Sequence, residues 1–115
     1  MLQVYGIKNC NTVKKALTWL KDNNVPFQFH DFKKEGVSGD KLKEWEKHVD
    51  WQALVNKKGT TWKKLSPETQ EQVVDSDSAN KILQENTSMI KRPVVEYNKG
   101  ILLGFNEAEY VTNLR

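Results

Sequence analysis

A short apolar strand and the start of a helix meet in the segment Val4-Tyr5-Gly6-Ile7-Lys8-Asn9-Cys10-Asn11-Thr12-Val13-Lys14-Lys15. Leu2 and Val4 supply the apolar positions of the strand, with Ile7 as a further candidate, and Gly6 supplies a place to turn. Beyond the junction, the apolar positions take the spacing of one face of an α-helix: Val13, Ala16, Leu17 and Leu20. The segment therefore predicts a strand followed closely by a helix.

The only cysteine, Cys10, falls at this junction. Asn11 or Thr12 is predicted to cap the helix, so Cys10 lies beside its first turn, where free N–H groups and the helix dipole favour an anion. A thiolate is such an anion and is the nucleophilic form of cysteine. Three lysines add positive charge nearby: Lys8, Lys14 and Lys15. The alternative is that Cys10 is a small buried hydrophobe, and these residues alone leave both interpretations open.

The composition narrows the classes of function. Eighteen basic and fifteen acidic side chains are interleaved along the chain, without a basic block, which argues against direct binding to nucleic acid. One cysteine permits no internal disulfide, and Val13 occupies the place of the second cysteine of a Cys-x-x-Cys pair. One cysteine and two separated histidines predict no metal site. No apolar run suits a membrane span and no signal peptide is recognisable, so we expect a cytoplasmic protein with no membrane contact.

A second strand is predicted after the first helix. The helix is expected to end near Asn23 and Asn24, with Pro26 as a stop signal just beyond. A period of two then predicts a strand through Phe27 and Phe29, with Phe32 as a further candidate. A strand, a helix and a strand within about thirty residues form a βαβ unit, which predicts that the two strands are parallel.

Residues 38–89 are predicted to form a helical insertion within a single domain spanning 1–115. Ser38 is expected to cap a helix whose face holds Leu42, Trp45 and Val49, and a helical turn is expected at Trp51, Leu54 and Val55. Lys57-Lys58-Gly59-Thr60-Thr61 is predicted to be a basic loop, with Trp62 and Leu65 as isolated anchors. Ser66-Pro67-Glu68 predicts a helix start, with Val73 and Val74 at that helix's end, and a last helix is expected from about Ser78 to Gln84.

The final segment returns to strands. Val94 to Tyr97 and Ile101 to Leu103, joined by Asn98-Lys99-Gly100, predict a β-hairpin. Asn106 followed by Glu109 predicts a capped last helix carrying Ala108 and Val111. The whole order is βαβ, helical insertion, ββα. It predicts an α/β, thioredoxin-like fold with a mixed four-stranded sheet.

Arg92 and Pro93 stand directly before the third predicted strand. In a thioredoxin-like layout this loop lies against the helix start that carries the nucleophile. Arg92 then offers a planar set of donors to an oxyanion or a carboxylate. The alternative is a surface Lys-Arg pair beside a proline that starts a strand, and the X-Pro bond is compatible with either cis or trans geometry.

Three motifs together resemble the ArsC/Spx family over essentially the whole chain, and most closely its YffB-like, arsenate reductase-related branch. They are residues 5–15 around Cys10, Asn56-Lys57-Lys58-Gly59-Thr60-Thr61-Trp62, and Ile90-Lys91-Arg92-Pro93-Val94. The resemblance implies that Cys10 attacks arsenate or a disulfide and that Arg92 helps to bind the oxyanion. Lys14 stands where the reductases have an arginine, and retains the charge without the bidentate geometry.

Two further positions depart from the arsenate reductase pattern. The resemblance aligns Asn56, next to Lys57 and Lys58, with an arsenate-binding arginine, and aligns Phe105 with another. Loss of these cations weakens the binding of a multiply charged oxyanion. The Spx regulators of the family bind RNA polymerase and typically use a Cys-x-x-Cys switch, which Val13 makes impossible here.

These features predict a thiol oxidoreductase that forms a mixed disulfide on Cys10. With no second cysteine, the resolving thiol comes from solution, so we expect glutathione as co-substrate and no bound cofactor. A glutaredoxin is the other candidate partner. Cys10, Lys14 and Arg92 are the predicted catalytic residues. A larger set is predicted to bind the disulfide or small oxyanion substrate: Lys8, Asn9, Asn11, Asn56, Lys57, Lys58 and Pro93. The alternatives are a genuine arsenate reductase and a non-catalytic, Spx-like regulator that binds RNA polymerase.

Overall fold

The computed structural model describes all residues from Met1 to Arg115. The chain divides into two compact units. The sheet unit comprises residues 1–35 and 92–115, and the helical unit comprises residues 36–91. No helix in the chain has both the length and the apolar character needed to cross a membrane.

The sheet unit contains four strands and three helices. The strands are β1 (Leu2–Gly6), β2 (Phe27–Asp31), β3 (Val94–Tyr97) and β4 (Gly100–Leu103). The helices are α1 (Asn11–Asp22), the short α2 (Phe32–Glu35) and the carboxy-terminal α8 (Glu107–Leu114). Phe32, predicted to extend the second strand, instead begins α2, because the Asp31 carboxylate accepts a hydrogen bond from the backbone N–H of Lys33 and turns the chain.

The strand order β2-β1-β3-β4 gives the predicted mixed sheet. β1 pairs in parallel with β2, with Val4 opposite Phe29, and antiparallel with β3, with Val4 opposite Val95. β3 and β4 form the predicted antiparallel hairpin. This order and these directions confirm the thioredoxin-like fold and the α/β class.

One face of this sheet packs on α1 and α8. Their shared core is made of buried side chains from the sheet and both helices: Val4, Ala16, Trp19, Leu20, Val95, Leu102 and Tyr110. The Tyr110 ring is edge-on to the Trp19 indole, with ring centroids 5.4 Å apart. On α8, Tyr110 is the buried residue, whereas Ala108 and Val111 are exposed. The inward face of α8 is therefore set by an aromatic side chain.

The helical unit contains five α-helices and one 3-10 turn. The α-helices are α3 (Gly39–Trp45), α4 (Trp51–Leu54), α5 (Thr60–Lys64), α6 (Pro67–Glu71) and α7 (Ser76–Glu85), and the 3-10 turn is Thr87–Met89. Ser38 and Ser66 cap α3 and α6 as predicted. Val55 forms an antiparallel bridge with Ile90 rather than continuing a helical turn.

Three helices of this unit have other limits than the sequence predicts. α5 begins at Thr60, inside the predicted loop, and its cap Gly59 makes no side-chain hydrogen bond. α6 ends at Glu71, before Val73. α7 begins at Ser76 because Asp75 accepts a hydrogen bond from the Ser78 N–H, and the Ser78 hydroxyl lies 3.1 Å from the Asp75 N–H in return.

Candidate functional site

Cys10 is itself the residue that caps α1. Its backbone is extended (φ −110°, ψ 123°), and its carbonyl accepts the first helical hydrogen bond from the Lys14 N–H at 3.0 Å. The prediction that Asn11 or Thr12 caps this helix is wrong by one or two residues, because both already lie within the helix. The Cys10 side chain is a free thiol and is partly exposed. A partly exposed sulfur at a helix start is accessible and close to unpaired backbone N–H groups.

Gly6 holds the start of α1 against the end of β1. A Cβ atom built on Gly6 would come within 2.9 Å of Val13 Cγ2, closer than real Cβ atoms approach another atom. Val13 is fully buried at the third position of α1. Glycine at position 6 therefore allows the strand and the first helical turn to approach closely, which fixes the position of Cys10 between them.

Arg92 lies beside Cys10 within the sheet unit. The Arg92–Pro93 peptide bond is cis, Pro93 is buried, and the Pro93 carbonyl accepts a hydrogen bond from the Gly104 N–H at 2.9 Å. These constraints hold the chain just before β3. The Arg92 side chain donates a hydrogen bond to the Cys10 sulfur. Of the predicted site residues, Cys10 and Arg92 are thus in direct contact.

The pKa of the Cys10 thiol lies below its usual value. Partial burial acts to raise this pKa, since it disfavours the charged form. Hydrogen bonding from the Val13 N–H, the hydrogen bond and positive charge of Arg92, and the Thr12 N–H together outweigh the burial. The environment therefore favours the thiolate, the form that attacks disulfides and other electrophiles.

The lysines near Cys10 contribute differently from Arg92. Lys8 and Lys14 are exposed, and neither is among the groups that lower the pKa of the thiol. Solvent screens an exposed ammonium group, so its effect on a neighbouring charge is small. Asn9 and Asn11 are also exposed, on either side of Cys10. These four side chains are therefore exposed beside Cys10, and none of them is among the groups that lower the pKa of its thiol.

Three further predicted substrate-binding residues, Asn56, Lys57 and Lys58, belong to the helical unit. The Asn56 side-chain oxygen accepts a hydrogen bond from the Lys58 N–H at 3.2 Å, and the Asn56 backbone N–H donates to the Met89 carbonyl at 2.8 Å. The Lys57 ammonium lies 5.3 Å from the centroid of the Trp62 ring. The structure thus brings Asn56, Lys57 and Lys58 together in one turn before α5.

Phe105 has a packing role in the sheet unit. Its ring is edge-on to the Tyr110 ring, with centroids 5.0 Å apart and an interplanar angle of 85°. The Tyr110 hydroxyl in turn donates a hydrogen bond to the Gly104 carbonyl at 2.7 Å. Sequence reasoning missed Tyr110, which is the anchor of this corner, although a tyrosine one turn beyond a predicted cap is a signal that could have been used.

Comparison with known proteins agrees with this arrangement. The ArsC family profile matches residues 5–113. An uncharacterized protein from Haemophilus influenzae is 44% identical over 110 residues, which cover 96% of each chain. The solved structure of a YFFB protein is 37% identical, covers 100% of both chains and superposes with a TM-score of 0.94.

Two further relatives carry functional names. An arsenate reductase (ArsC) related protein from Brucella melitensis is 41% identical, with a TM-score of 0.76 over 96% of this chain and 92% of that one. The global transcriptional regulator Spx of Listeria innocua is 25% identical over 116 residues, covering 95% of this chain and 83% of that protein. The fold, the motifs around Cys10 and Arg92, and these matches show that the chain belongs to the ArsC family.

Proposed function

We propose that this protein is a thiol oxidoreductase that resolves mixed disulfides with glutathione through the single nucleophile Cys10. The observation that carries the proposal is the Cys10 thiol at the start of α1, in contact with Arg92 and with a lowered pKa. A nucleophilic cysteine needs a stabilised thiolate and access to its substrate. Arg92 and the helix start stabilise the Cys10 thiolate, and the partial exposure of Cys10 gives a substrate access to it.

The proposed reaction has two thiol–disulfide exchanges. The Cys10 thiolate attacks the glutathione sulfur of a mixed disulfide, which forms a Cys10–glutathione disulfide and releases the substrate as a thiolate that takes a proton from water. A second glutathione thiolate then attacks the glutathione sulfur of this intermediate, forming oxidised glutathione and restoring the Cys10 thiolate. The second thiol comes from outside the chain, which has one cysteine. If a glutaredoxin supplies this thiol instead of glutathione, the product is glutathionylated glutaredoxin rather than oxidised glutathione.

Arg92 serves both steps of this reaction. Its charge stabilises the Cys10 thiolate before the first attack and again when that thiolate leaves in the second step. We assign Lys8, Lys14, Asn9 and Asn11 to contacts with the polar parts of the glutathione half. Substrate binding by Asn56, Lys57, Lys58 and Pro93 remains a prediction. The proposal places the protein in the cytoplasm, where glutathione keeps thiols reduced.

The reduction of the mixed disulfide between cysteine and glutathione tests this function. Formation of oxidised glutathione is followed continuously with glutathione reductase and NADPH. We expect turnover by the natural protein and none above background by Cys10→Ser. Lys91→Ala is the control variant and is expected to retain turnover. It removes an exposed positive charge directly before Arg92 and leaves Cys10 and Arg92 unchanged. Equal activity of Cys10→Ser and the natural protein would overturn the proposal.

Arsenate reduction is the second candidate, favoured by the Arg92 cation next to the sulfur and by the name of the Brucella melitensis relative. In this reaction two thiols supply the two electrons that convert arsenate to arsenite, with oxidised glutathione and water as the other products. Phe105 offers no charge to the oxyanion. Glutathione oxidation that depends on millimolar arsenate would establish this activity, and its absence would leave the disulfide reaction as the function.

The Spx relatives suggest a third candidate, a regulator that binds RNA polymerase. The position of a second switch cysteine is filled by Val13, which is fully buried. Binding of purified RNA polymerase by Cys10→Ser as tightly as by the natural protein would support a regulator independent of thiol chemistry. Lack of binding would exclude it.

A further inference from the structure

A groove of about 390 Å³ runs along α1 in the sheet unit. One wall is formed by exposed residues of α1, among them Lys14, Thr18 and Asp22. Phe105 and Glu107 form the opposite wall, where β4 leads into α8. The indole of Trp19, only 7% exposed, also lines the groove and is expected to contribute an apolar floor.

Three of the α1 residues that line the groove continue the four-residue spacing that starts at Cys10, although Cys10 itself does not line it. Cys10, Lys14, Thr18 and Asp22 recur every four residues, and side chains at this spacing are neighbours on a helix surface. At a helical rise of 1.5 Å per residue, Lys14 lies about 6 Å and Asp22 about 18 Å along the axis from Cys10. The near end of the groove, at Lys14, therefore lies about one helical turn from Cys10, within reach of a peptide whose glutathione sulfur meets the thiolate.

The charges of the groove change along this path. Lys15 provides a cation at the end near Cys10, beside Lys14, which we assign to glutathione. Asp22 provides a carboxylate at the far end, and Glu107 provides another on the opposite wall. Trp19 and Phe105 offer aromatic surface to an occupant. The complementary occupant has a carboxylate close to its sulfur, an apolar side chain next, and a cation at its far end.

The length of the groove distinguishes two classes of occupant. An extended chain spans at most about 3.3–3.6 Å per residue, so the tripeptide glutathione covers about 10 Å and stops short of Asp22. About five to six residues of extended peptide reach from Cys10 to Asp22 at the same spacing. The opposed charges at the two ends therefore fit a peptide rather than glutathione.

We propose that this groove binds the polypeptide segment around the oxidised cysteine, so that the substrates of Cys10 are glutathionylated proteins. This inference rests on the proposed mixed-disulfide chemistry. The Cys10 thiolate takes the glutathione sulfur, the substrate cysteine in the groove leaves as a thiolate and is protonated from water, and a second glutathione releases oxidised glutathione. Lys15 and Asp22 then determine which glutathionylated segments are reduced fastest.

The test uses two hexapeptides with a glutathionylated cysteine at one end, each made in both chain directions. The matched peptide has glutamate beside the cysteine, phenylalanine in the middle and lysine at the far end, and the swapped peptide exchanges the glutamate and lysine. We expect kcat/KM for the matched peptide to exceed that for the swapped one by about fivefold to tenfold, the effect of two exposed ion pairs. The double variant Lys15→Glu/Asp22→Lys is expected to reverse the preference.

The control double variant Lys99→Glu/Glu71→Lys makes the same changes at exposed positions outside the groove and is expected to retain the natural preference. Equal kcat/KM for the two peptides would overturn the proposal. So would a Lys15→Glu/Asp22→Lys variant that loses as much activity toward the cysteine–glutathione disulfide as toward the matched peptide, because glutathione itself would then occupy the groove.

A binding measurement separates failure of this inference from failure of the proposed function. S-methylated versions of both peptides cannot react, and calorimetry with the natural protein measures their affinities directly. Tighter binding of the matched peptide would support peptide binding in the groove even if no substrate were turned over. Equal affinities, or no binding of either peptide, would overturn it even where the cysteine–glutathione disulfide is reduced.

Discussion

Arg92 donates a hydrogen bond to the sulfur of Cys10, joining the segment that enters β3 to the start of α1. The two residues are far apart in the sequence, and the pairing of β1 with β3 brings their segments together. A guanidinium group is permanently charged, so this contact favours the thiolate at every physiological pH. The chemistry that we propose depends on this one relationship.

Replacement of Arg92 by alanine is expected to raise the pKa of Cys10 and to slow its reactions. A hydrogen bond to a charged group contributes about 1.5–3 kcal/mol, which corresponds to a loss of about tenfold to a hundredfold in kcat/KM for mixed-disulfide reduction. The pH dependence of Cys10 alkylation measures the pKa change. Lys91→Ala is the control, and an unchanged alkylation profile in Arg92→Ala would show that the backbone N–H groups alone activate the thiol.

Replacement of Gly6 by alanine is expected to destabilise the protein by about 1–3 kcal/mol, the usual effect of overpacking. The added methyl group meets the buried Val13, whose branched side chain has little freedom to move. Urea unfolding followed by tryptophan fluorescence measures the change. Gly39→Ala is the matched control, because its added methyl lies 3.5 Å from the flexible end of Gln84 and costs little. Equal effects of the two substitutions would contradict the close approach at Gly6.

Replacement of Tyr110 by phenylalanine is expected to lower the free energy of unfolding by about 1 kcal/mol, because the buried Gly104 carbonyl loses its donor. Burial, with a smaller effect from Glu109, raises the pKa of Tyr110 well above its ordinary value. Its stabilising contribution is complete below the pKa of an unfolded tyrosine, about 10, and is lost as the pH rises further. The difference between Tyr110→Phe and the natural protein in urea unfolding should therefore shrink above that pH. A difference that stays constant would show that the hydroxyl is not buried.

Replacement of Glu46 by glutamine is expected to stabilise the protein near neutral pH. Burial, with the nearby charge of Asp77, raises the pKa of Glu46 against the opposing effects of Asn80 and Lys43. The Asn80 amide lies 3.4 Å from one Glu46 oxygen, while the other Glu46 oxygen and the Asn80 carbonyl oxygen are buried without a donor. The N–H of a glutamine can fill this gap, which is expected to add about 1 kcal/mol to the free energy of unfolding at pH 7.

The pH dependence of the Glu46→Gln effect has a definite sign. A carboxyl group whose folded pKa is raised stabilises fully below the pKa of an unfolded glutamate, about 4.3, and this contribution is lost as the pH rises through the folded value. The advantage of Glu46→Gln over the natural protein should therefore grow from pH 4 to pH 7. Glu44→Gln, which removes an exposed carboxylate 3.5 Å from the Lys41 ammonium, should change stability by less than about 1 kcal/mol. Identical pH profiles for the two variants would contradict the raised pKa of Glu46.

Most of the fold could be predicted from the sequence because its elements carry strong local signals. The strands alternate, α1 has a regular apolar face, and Ser38, Ser66 and Asn106 each cap the helix that was predicted for them. Such signals fail for short elements. The five residues of α5 bury no side chain and start at a glycine cap, so no apolar period marks them.

The site could be predicted only in part. Cys10 was recognisable because it stands at a helix start, but its own role as the cap was missed because cysteine lacks the oxygen that usually marks one. The contact between Arg92 and Cys10 depends on pairing across the sheet, which spacing along the chain does not encode. The groove between α1 and Phe105 was missed for the same reason.

The most direct measurement is the rate of Cys10 alkylation as a function of pH, with mass spectrometry of the protein after incubation with oxidised glutathione. We predict rapid alkylation well below the pH at which an ordinary cysteine ionises, and one glutathione adduct on Cys10. Alkylation that follows the ionisation of an ordinary thiol, with no adduct, would contradict an activated nucleophile at this position.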